Sequence, residues 1–350
     1  MARTSHRALR FVGGVIAGIS AVTLVRAVLR RSRRLDLTGR VAIVTGGSRG
    51  LGLRIAEELG RRGARVAICG RDQAALDAAE RRLRTQGIEV LARRVDLGDR
   101  GQAALFVERA FLEWERLDIL VNNAGVIHVE PLASLSLDSL EEALRGNFWS
   151  AVNTTFAALP HLRAQGRAAR VVNIVSIGGR VAVPHLLGYS ASKFALLGFS
   201  EGLAAEIGRA GIRVVTVIPG LMRTGSYYNA EFAGDARKEL DWFSVSASLP
   251  LLTVGARRAA RRVVRAIEEG ETLVHIGLPA VLLAWLHGLA PGFTVGLMGL
   301  ANRFLPRPGE APEGARRGRE IPSVRYGSRL LRLGDRAALE NNEAPPAAAR

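Results

Sequence analysis

From Arg40 onward the chain alternates between short, almost wholly apolar runs and longer segments whose apolar residues recur every three or four positions. The apolar runs predict strands near residues 40–45, 64–70, 89–95, 117–122, 169–176, 212–218 and 271–275. The periodic segments predict helices near 50–62, 72–86, 99–115, 136–165, 189–210 and 254–269. Strands that are apolar on both faces and alternate with helices imply a parallel sheet covered on each side. The predicted class is therefore α/β, a doubly wound parallel sheet of about seven strands over residues 38–275. Ligands of such sheets bind beyond the carboxyl ends of the strands. No internal repeat is visible.

Three segments lie outside this alternation. Phe11 to Leu29 is apolar in character, with Arg26 its only charge and arginines on both flanks. A bilayer needs about 20 apolar residues, and Arg26 can snorkel near the end. Residues 1–37 thus read as a basic, apolar membrane anchor, spanning the bilayer or lying in its interface. A cleaved signal peptide is the rival, but no small-residue cleavage site follows. The denser arginine cluster after the run places the folded domain on the cytoplasmic side. Thr272 to Asn302 carries no formal charge, and Pro279 and Pro291 divide it. Its helical pieces, about Ala280–Leu289 and Phe293–Leu305, are too short to span a bilayer singly. The apolar extension 276–305 could lie on a membrane, cap a substrate mouth or pack on a second subunit. Residues 306–350, rich in Pro, Gly, Ala and Arg, read as a largely disordered tail.

Charge changes the picture less than its size suggests. The formal net charge is +17. Residues 1–34 hold eight arginines and no acid, and residues 306–350 hold nine arginines against six acids. Lys193 and Lys238 are the only lysines, which points to a coding bias toward arginine. No zinc-finger, basic-zipper or RNA-binding motif is present, so nucleic acid is not an expected partner. The single cysteine, Cys69, closes an apolar strand and forms no intrachain disulfide. Six histidines and one cysteine show no ligand spacing in the sequence, so no metal is expected.

The chemistry-bearing residues sit at the carboxyl ends of the predicted strands. Residues 45–52 read TGGSRGLG after Val41–Val44, and residues 122–125 read NNAG after Leu117–Val121. Asn147 follows, then Ser176 at the end of Val171–Val175, then Tyr189 and Lys193 four residues apart on a helix. That spacing places both side chains on one face. A phenol titrates near pH 10, and a cation beside it favours the phenolate. Pro219-Gly220 follows the strand Ile212–Ile218. In this order and spacing, residues 38–275 resemble the short-chain dehydrogenase/reductase family in its single-domain, Rossmann-type form.

The resemblance implies an oxidoreductase that interconverts a carbonyl and an alcohol by hydride transfer. It implies that Tyr189 donates the proton, Ser176 hydrogen-bonds the reacting oxygen, Lys193 lowers the Tyr189 pKa and binds the nicotinamide ribose, and Asn147 holds a proton-relay water. It further implies a nicotinamide dinucleotide held by Gly46, Ser48, Arg49, Gly50, Leu51 and Gly52, by Asp96 and Leu97, by Asn123, Ala124 and Gly125, and by Pro219, Gly220 and Thr224, with Tyr189 and Lys193 touching it as well. The three loop glycines would permit close approach of a pyrophosphate, with the next helix aimed at its charge. Asp96 competes with a plain capping role, for which Asp99 is the alternative. At the end of the second strand the sequence is Cys69-Gly70-Arg71, with no acid to accept the ribose hydroxyls of NAD(H). Arg71, helped by Arg49, would meet a 2′-phosphate, which favours NADP(H).

Residues 225–250 correspond to the family's substrate lid. They contain Tyr227, Tyr228, Phe232, Trp242 and Phe243 in a chain with 5% aromatic residues. This suggests a lipophilic carbonyl or alcohol as substrate, against ordinary packing of a lid helix. A homo-oligomer is a further expectation. Two rival functions are a soluble 3-oxoacyl-carrier-protein reductase and a catalytically idle nucleotide-binding scaffold.

Overall fold

The computed structural model describes residues 34–307, 313–322 and 328–344. The anchor expected around residues 11–29 lies outside them. Among the described residues, no helix is long and apolar enough to cross a membrane.

The strands and helices follow the predicted alternation. In chain order they begin with β1 (Val41–Thr45), α1 (Gly50–Gly60), β2 (Arg65–Gly70), α2 (Gln73–Arg84), β3 (Val90–Arg94), α3 (Arg100–Trp114) and β4 (Ile119–Asn122). Next come β5 (His128–Val129), α4 (Leu137–Leu144), α5 (Ser150–Gln165), β6 (Arg170–Ile174), α6 (Leu187–Ile207) and β7 (Arg213–Pro219). The second half of the domain adds β8 (Met222–Arg223), β9 (Glu231–Gly234), α7 (Ala236–Ser246), β10 (Val254–Gly255), α8 (Ala256–Glu269) and β11 (Leu273–Ile276). Beyond it lie α9 (Leu278–Leu289), α10 (Pro291–Asn302), β12 (Glu313–Arg317) and α11 (Arg332–Glu340).

Seven strands form one parallel sheet in the order β11-β7-β6-β4-β1-β2-β3. The β1 strand shows why it sits at the centre. Val41 and Ile43 pack into the core on one face, Ala42 and Val44 into the core on the other. Such a strand has no wet side and must be covered twice. The helices supply the covers. On α8 the alanines, valines and isoleucine face inward while the arginines take the outer face. Asp72 and Asp99 start α2 and α3 by accepting from the backbone N–H of Ala75 and Gln102. The strand order reverses between β1 and β4, and the crevice there opens toward the carboxyl ends.

Three departures from the sequence-based expectation matter for function. The single helix expected over 136–165 is broken into α4 and α5 by a π-helical turn at Arg145–Trp149, which carries Asn147. The expected lid, 225–250, is a short strand and a helix, β9 and α7, with β9 in a small sheet ordered β12-β9-β5. The tail after residue 306 is not without structure, because β12 and α11 form within it. Its apolar residues are few but land where they count: Leu331 is buried, and Ile321, Ala338 and Ala344 are buried in one cluster with Tyr227, Tyr228 and Phe232. Composition averaged over the segment hides that spacing.

Candidate active site

Each side chain of the site is held by an element end. Ser176 follows β6, and its hydroxyl accepts from Gly178 N at 3.0 Å. Tyr189 and Lys193 sit one turn apart on the first half of α6, with Lys193 Nζ 5.9 Å from the centroid of the Tyr189 ring. Burial raises the Tyr189 phenol above its ordinary value, and a hydrogen bond with Ser176 opposes that rise. Lys193 is 4% exposed, and Nζ donates to the Ile174 carbonyl at 3.1 Å. Burial pushes its ammonium down to about 8. Ser176, Tyr189 and Lys193 therefore meet at one point on the floor of the crevice.

Asn147 lies behind them. Its Oδ1 accepts from Val126 N at 3.0 Å, and its Nδ2 donates to Val126 O at 3.1 Å and to Ser192 Oγ at 3.0 Å. The side chain thereby ties the segment after Gly125 to α6. A Cβ on Gly125 would fall 2.5 Å from Asn147 Oδ1 and 3.5 Å from Lys193 Nζ, so only glycine fits between them.

The glycine loop follows β1 and leads into α1. A Cβ on Gly52 would stand 2.3 Å from Gly46 O and 2.4 Å from Asn123 Nδ2. Asn123 Nδ2 donates to Thr45 O at 3.0 Å and Gly46 O at 3.3 Å, which fixes the loop against the end of β4. Thr45 Oγ1 accepts from the backbone N–H of both Asn123 and Ala124 at 2.9 Å. Beneath these, Asn122, Thr154, Thr155, Asn173, Ser200 and Thr216 form a buried chain of hydrogen bonds through the sheet centre. Apart from Asn122, which belongs to the NNAG segment, these residues carry no motif in the sequence, since isolated Thr and Ser in apolar runs mark nothing.

A cavity of about 620 Å³ joins most of the glycine loop to residues 123–125, Asn147, Ser176, Tyr189 and Lys193. One end is lined by Gly46, Ser48, Arg49, Gly50, Leu51, Arg71, Asp96 and Leu97. The middle is lined by Asn123, Ala124, Gly125, Asn147, Ser176, Tyr189 and Lys193, with Pro219, Gly220 and Thr224 opposite. The third part is apolar: Val183, Leu186, Trp242 and Phe243, together with Leu283 of α9 and Met298 of α10. Of the five lid aromatics, Tyr227, Tyr228 and Phe232 are buried away from the cavity in the cluster shared with the C-terminal segment. Only Trp242 and Phe243 face the cavity. Asp96 pairs with Arg145 and accepts from Gly98 N at 3.0 Å, while Asp99 is the residue that caps α3. Arg71 is exposed at the rim. Arg49 is turned toward Asn229, donating to its Oδ1 at 2.8 Å, and lies 4.0 Å from Asp72.

The cradle fits a nicotinamide dinucleotide. Its glycines bring backbone close to whatever lies above, and α1 starts there, where a helix N-terminus favours an anion. The groove is long enough to run from Arg71 past Tyr189.

Some residues of this site carry no recognisable motif. Glu343, from the segment after α11, lines the cavity against Gly50, and Asn229 beside it bridges to Arg49. The buried pair Arg54–Glu57 on α1 is covered by the same segment, through Glu340 O and Asn341. A further cluster brings one ligand atom each from His128, Glu142 and Glu231 within 4.8 Å of one another, a proximity absent from the sequence spacing. Cys69 is fully buried, and its thiol is pushed up to about 12, so it is inert.

Comparisons with known proteins bear on this geometry. The short chain dehydrogenase family matches residues 40–231. SadH of Mycobacterium tuberculosis, an oxidoreductase by name, is 30% identical over 244 residues, 69% of this chain and 87% of SadH. The 11-beta-hydroxysteroid dehydrogenase A of Sesamum indicum is 32% identical over 246 residues, covering 68% of each chain. A crystal structure of a short chain dehydrogenase/reductase from Burkholderia phymatum, solved in complex with NAD, superposes with a TM-score of 0.67 at 22% identity. It covers 74% of this chain and 96% of its own. That likeness speaks for the fold. With the family match and the SadH and sesame relatives, it leads to one conclusion: the chain belongs to the short-chain dehydrogenases, oxidoreductases that act on CH–OH groups with NAD(P).

Proposed function

We propose that the protein interconverts a lipophilic ketone or aldehyde and its alcohol, uses NADP(H) in preference to NAD(H), and works at a membrane surface. The observation that carries this reading is the meeting of Ser176, Tyr189 and Lys193 where the glycine-lined groove runs into an apolar mouth.

When bound, the dinucleotide supplies or takes up the hydride. Tyr189 gives its phenolic proton to the substrate oxygen in reduction and takes it back in oxidation. Ser176 donates to the same oxygen and steadies the charge that develops there. Lys193, held by the Ile174 carbonyl, places its positive charge beside the Tyr189 ring and favours the phenolate. Asn147 keeps the Gly125 backbone and α6 in register, so that the tyrosine and serine stay on one oxygen.

Leu186, Trp242, Phe243, Leu283 and Met298 at the mouth support an apolar substrate. The name of the steroid dehydrogenase relative, and that of a ketoacyl reductase by name from Streptomyces coelicolor that is 33% identical over 241 residues, are in keeping with that mouth. The absence of an acid at Gly70 and the exposed Arg71 beside it support NADP(H). Arg49, committed to Asn229, lends less to that choice than Arg71 does. A membrane surface is supported by the outward faces of α9 and α10 and the turn after α10, where Leu282, Trp285, Leu289, Phe293 and, in the turn, Phe304 are all 60% exposed or more. Catalysis on the cytoplasmic side is the reading that the arginines after residue 29 support.

The test is NADPH oxidation by the full-length protein with methyl ketones of increasing chain length and with steroid ketones. KM should fall as chain length grows. Turnover restricted to short or thioester-linked substrates would favour the acyl-carrier reductase reading, and no turnover with any carbonyl the idle scaffold. In parallel, the protein should sediment with anionic vesicles, and removal of residues 1–34 should weaken that. Protein that stays in the supernatant at low salt refutes the membrane reading.

A further inference from the structure

The segment after α11 is anchored by five hydrogen bonds, two of them to the glycine loop itself. The Asn341 carbonyl accepts from Gly50 N at 2.8 Å. Asn341 Oδ1 accepts from the buried Arg54 Nε at 2.6 Å, and Asn341 Nδ2 donates to Thr224 O at 3.1 Å. Asn342 Nδ2 donates to Ser48 O at 2.8 Å and to Ala75 O at 2.9 Å. Asn342 adopts φ +60, a left-handed turn that asparagine tolerates better than most residues, and the turn aims the next side chain into the groove.

That side chain is Glu343, 8% exposed. Its Oε2 accepts from Asn229 Nδ2 at 2.6 Å. Its Oε1 lies only 2.6 Å from where a Cβ on Gly50 would stand. The missing side chain of Gly50, which lets a phosphate oxygen approach the loop backbone, here lets a carboxylate oxygen approach it. Burial raises the Glu343 carboxyl above its ordinary value, and the Arg49 charge and the Asn229 hydrogen bond oppose that rise only in part. The Gly50 N–H, one of the donors with which a helix start greets an anion, is spent on Asn341 O.

We infer that Glu343 is an internal occupant of the cofactor's phosphate site: its carboxylate stands where a pyrophosphate oxygen of the dinucleotide binds, and the cofactor must turn it out to enter. This rests on the reading that residues 46–52 receive the pyrophosphate. The dinucleotide therefore sees only the fraction of protein in which Glu343 has swung away, and its apparent affinity is reduced by that fraction. With an open state of about 10% or less, removing the carboxylate tightens binding about tenfold or more. Adenosine carries no phosphate and reaches only the Asp96 and Arg71 end, so its affinity is unaffected.

The experiment compares full-length wild type with Glu343→Gln and Glu343→Ala. The glutamine variant keeps shape and an acceptor for Asn229, so a folding defect in one variant leaves the other informative. Dissociation constants are measured for NADPH, NADH, inorganic pyrophosphate and adenosine, and hydrogen exchange is followed across residues 338–344. Glu343→Ala should bind NADPH, NADH and pyrophosphate about tenfold more tightly, Glu343→Gln, which still fills the site but no longer repels phosphate, by a smaller factor, with adenosine unchanged in both, and NADPH should speed exchange of the segment in wild type. Equal affinities in wild type and variants would overturn the inference while leaving the pyrophosphate assignment intact. Weaker binding in the variants, or slower exchange with NADPH, would overturn it by making Glu343 a clamp. Failure of every form to bind either dinucleotide would overturn the assignment and the inference together.

Discussion

Replacing Lys193 with methionine should make the cofactor-free protein more stable and the enzyme inactive. Burial alone acts on the ammonium and pushes it from 10.5 down to about 8. A tenfold change in proton affinity is worth about 1.4 kcal/mol, so keeping this charge inside the fold costs about 3 kcal/mol. The sign follows from the depressed value. Below pH 8 folded and unfolded chains both hold the proton, and the whole cost is present. Between pH 8 and 10.5 the folded protein has released it and the unfolded chain has not, so wild-type stability climbs with pH. Methionine matches lysine closely in length, carries no charge, and forfeits the charge-assisted hydrogen bond to Ile174 O, worth about 1.5–3 kcal/mol. The net gain at pH 7 is about 1 kcal/mol, or roughly 2–4 °C in Tm for a domain of this size. Thermal unfolding at pH 7 and pH 10, beside an NADPH oxidation assay, checks it. The gain should be present at pH 7 and absent or reversed at pH 10, with activity lost at both. A variant less stable than wild type at pH 7, or a gain that ignores pH, would refute the reasoning. Such a trade of stability for function is expected where a charge is buried for chemistry.

Three further outcomes are expected. Tyr189→Phe should lower kcat by about 10²–10⁴ while leaving the NADPH dissociation constant largely unchanged; near-wild-type turnover in a folded variant would exclude Tyr189 as the proton donor. Gly52→Ala should abolish dinucleotide binding, measured by titration, because its Cβ would stand 2.3 Å from a backbone oxygen that cannot yield without moving the loop. Arg71→Gln should lower kcat/KM for NADPH relative to NADH by about 10- to 150-fold, the worth of one charge-assisted hydrogen bond. Adding Gly70→Asp should push the preference further toward NADH, although its Cβ would meet Ser48 Oγ at 2.8 Å and require that side chain to rotate. A wild type that already prefers NADH would leave Arg71 a surface arginine.

Much of the site was legible in the residues alone. Buried parallel strands are apolar on both faces, so β1, β4, β6 and β7 announce themselves, and the motifs fall at their carboxyl ends because ligand sites of such sheets do. Tyr189 and Lys193 share a face because four residues make about one helical turn. These are local relations, carried by spacing along one element. What tertiary structure decided was long-range. The π-turn that turns Asn147 toward Val126 and Ser192 breaks a segment whose periodicity reads as one helix. Tyr227, Tyr228 and Phe232 look like lid residues but serve a core completed by residues about a hundred positions later. Arg49 looks free to meet a 2′-phosphate until Asn229, 180 residues away, takes its guanidinium. Glu343 carries no motif at all. Its place beside Gly50 depends on α11 docking and on two asparagines finding backbone partners on other elements, and no periodicity records which distant carbonyl an amide will meet.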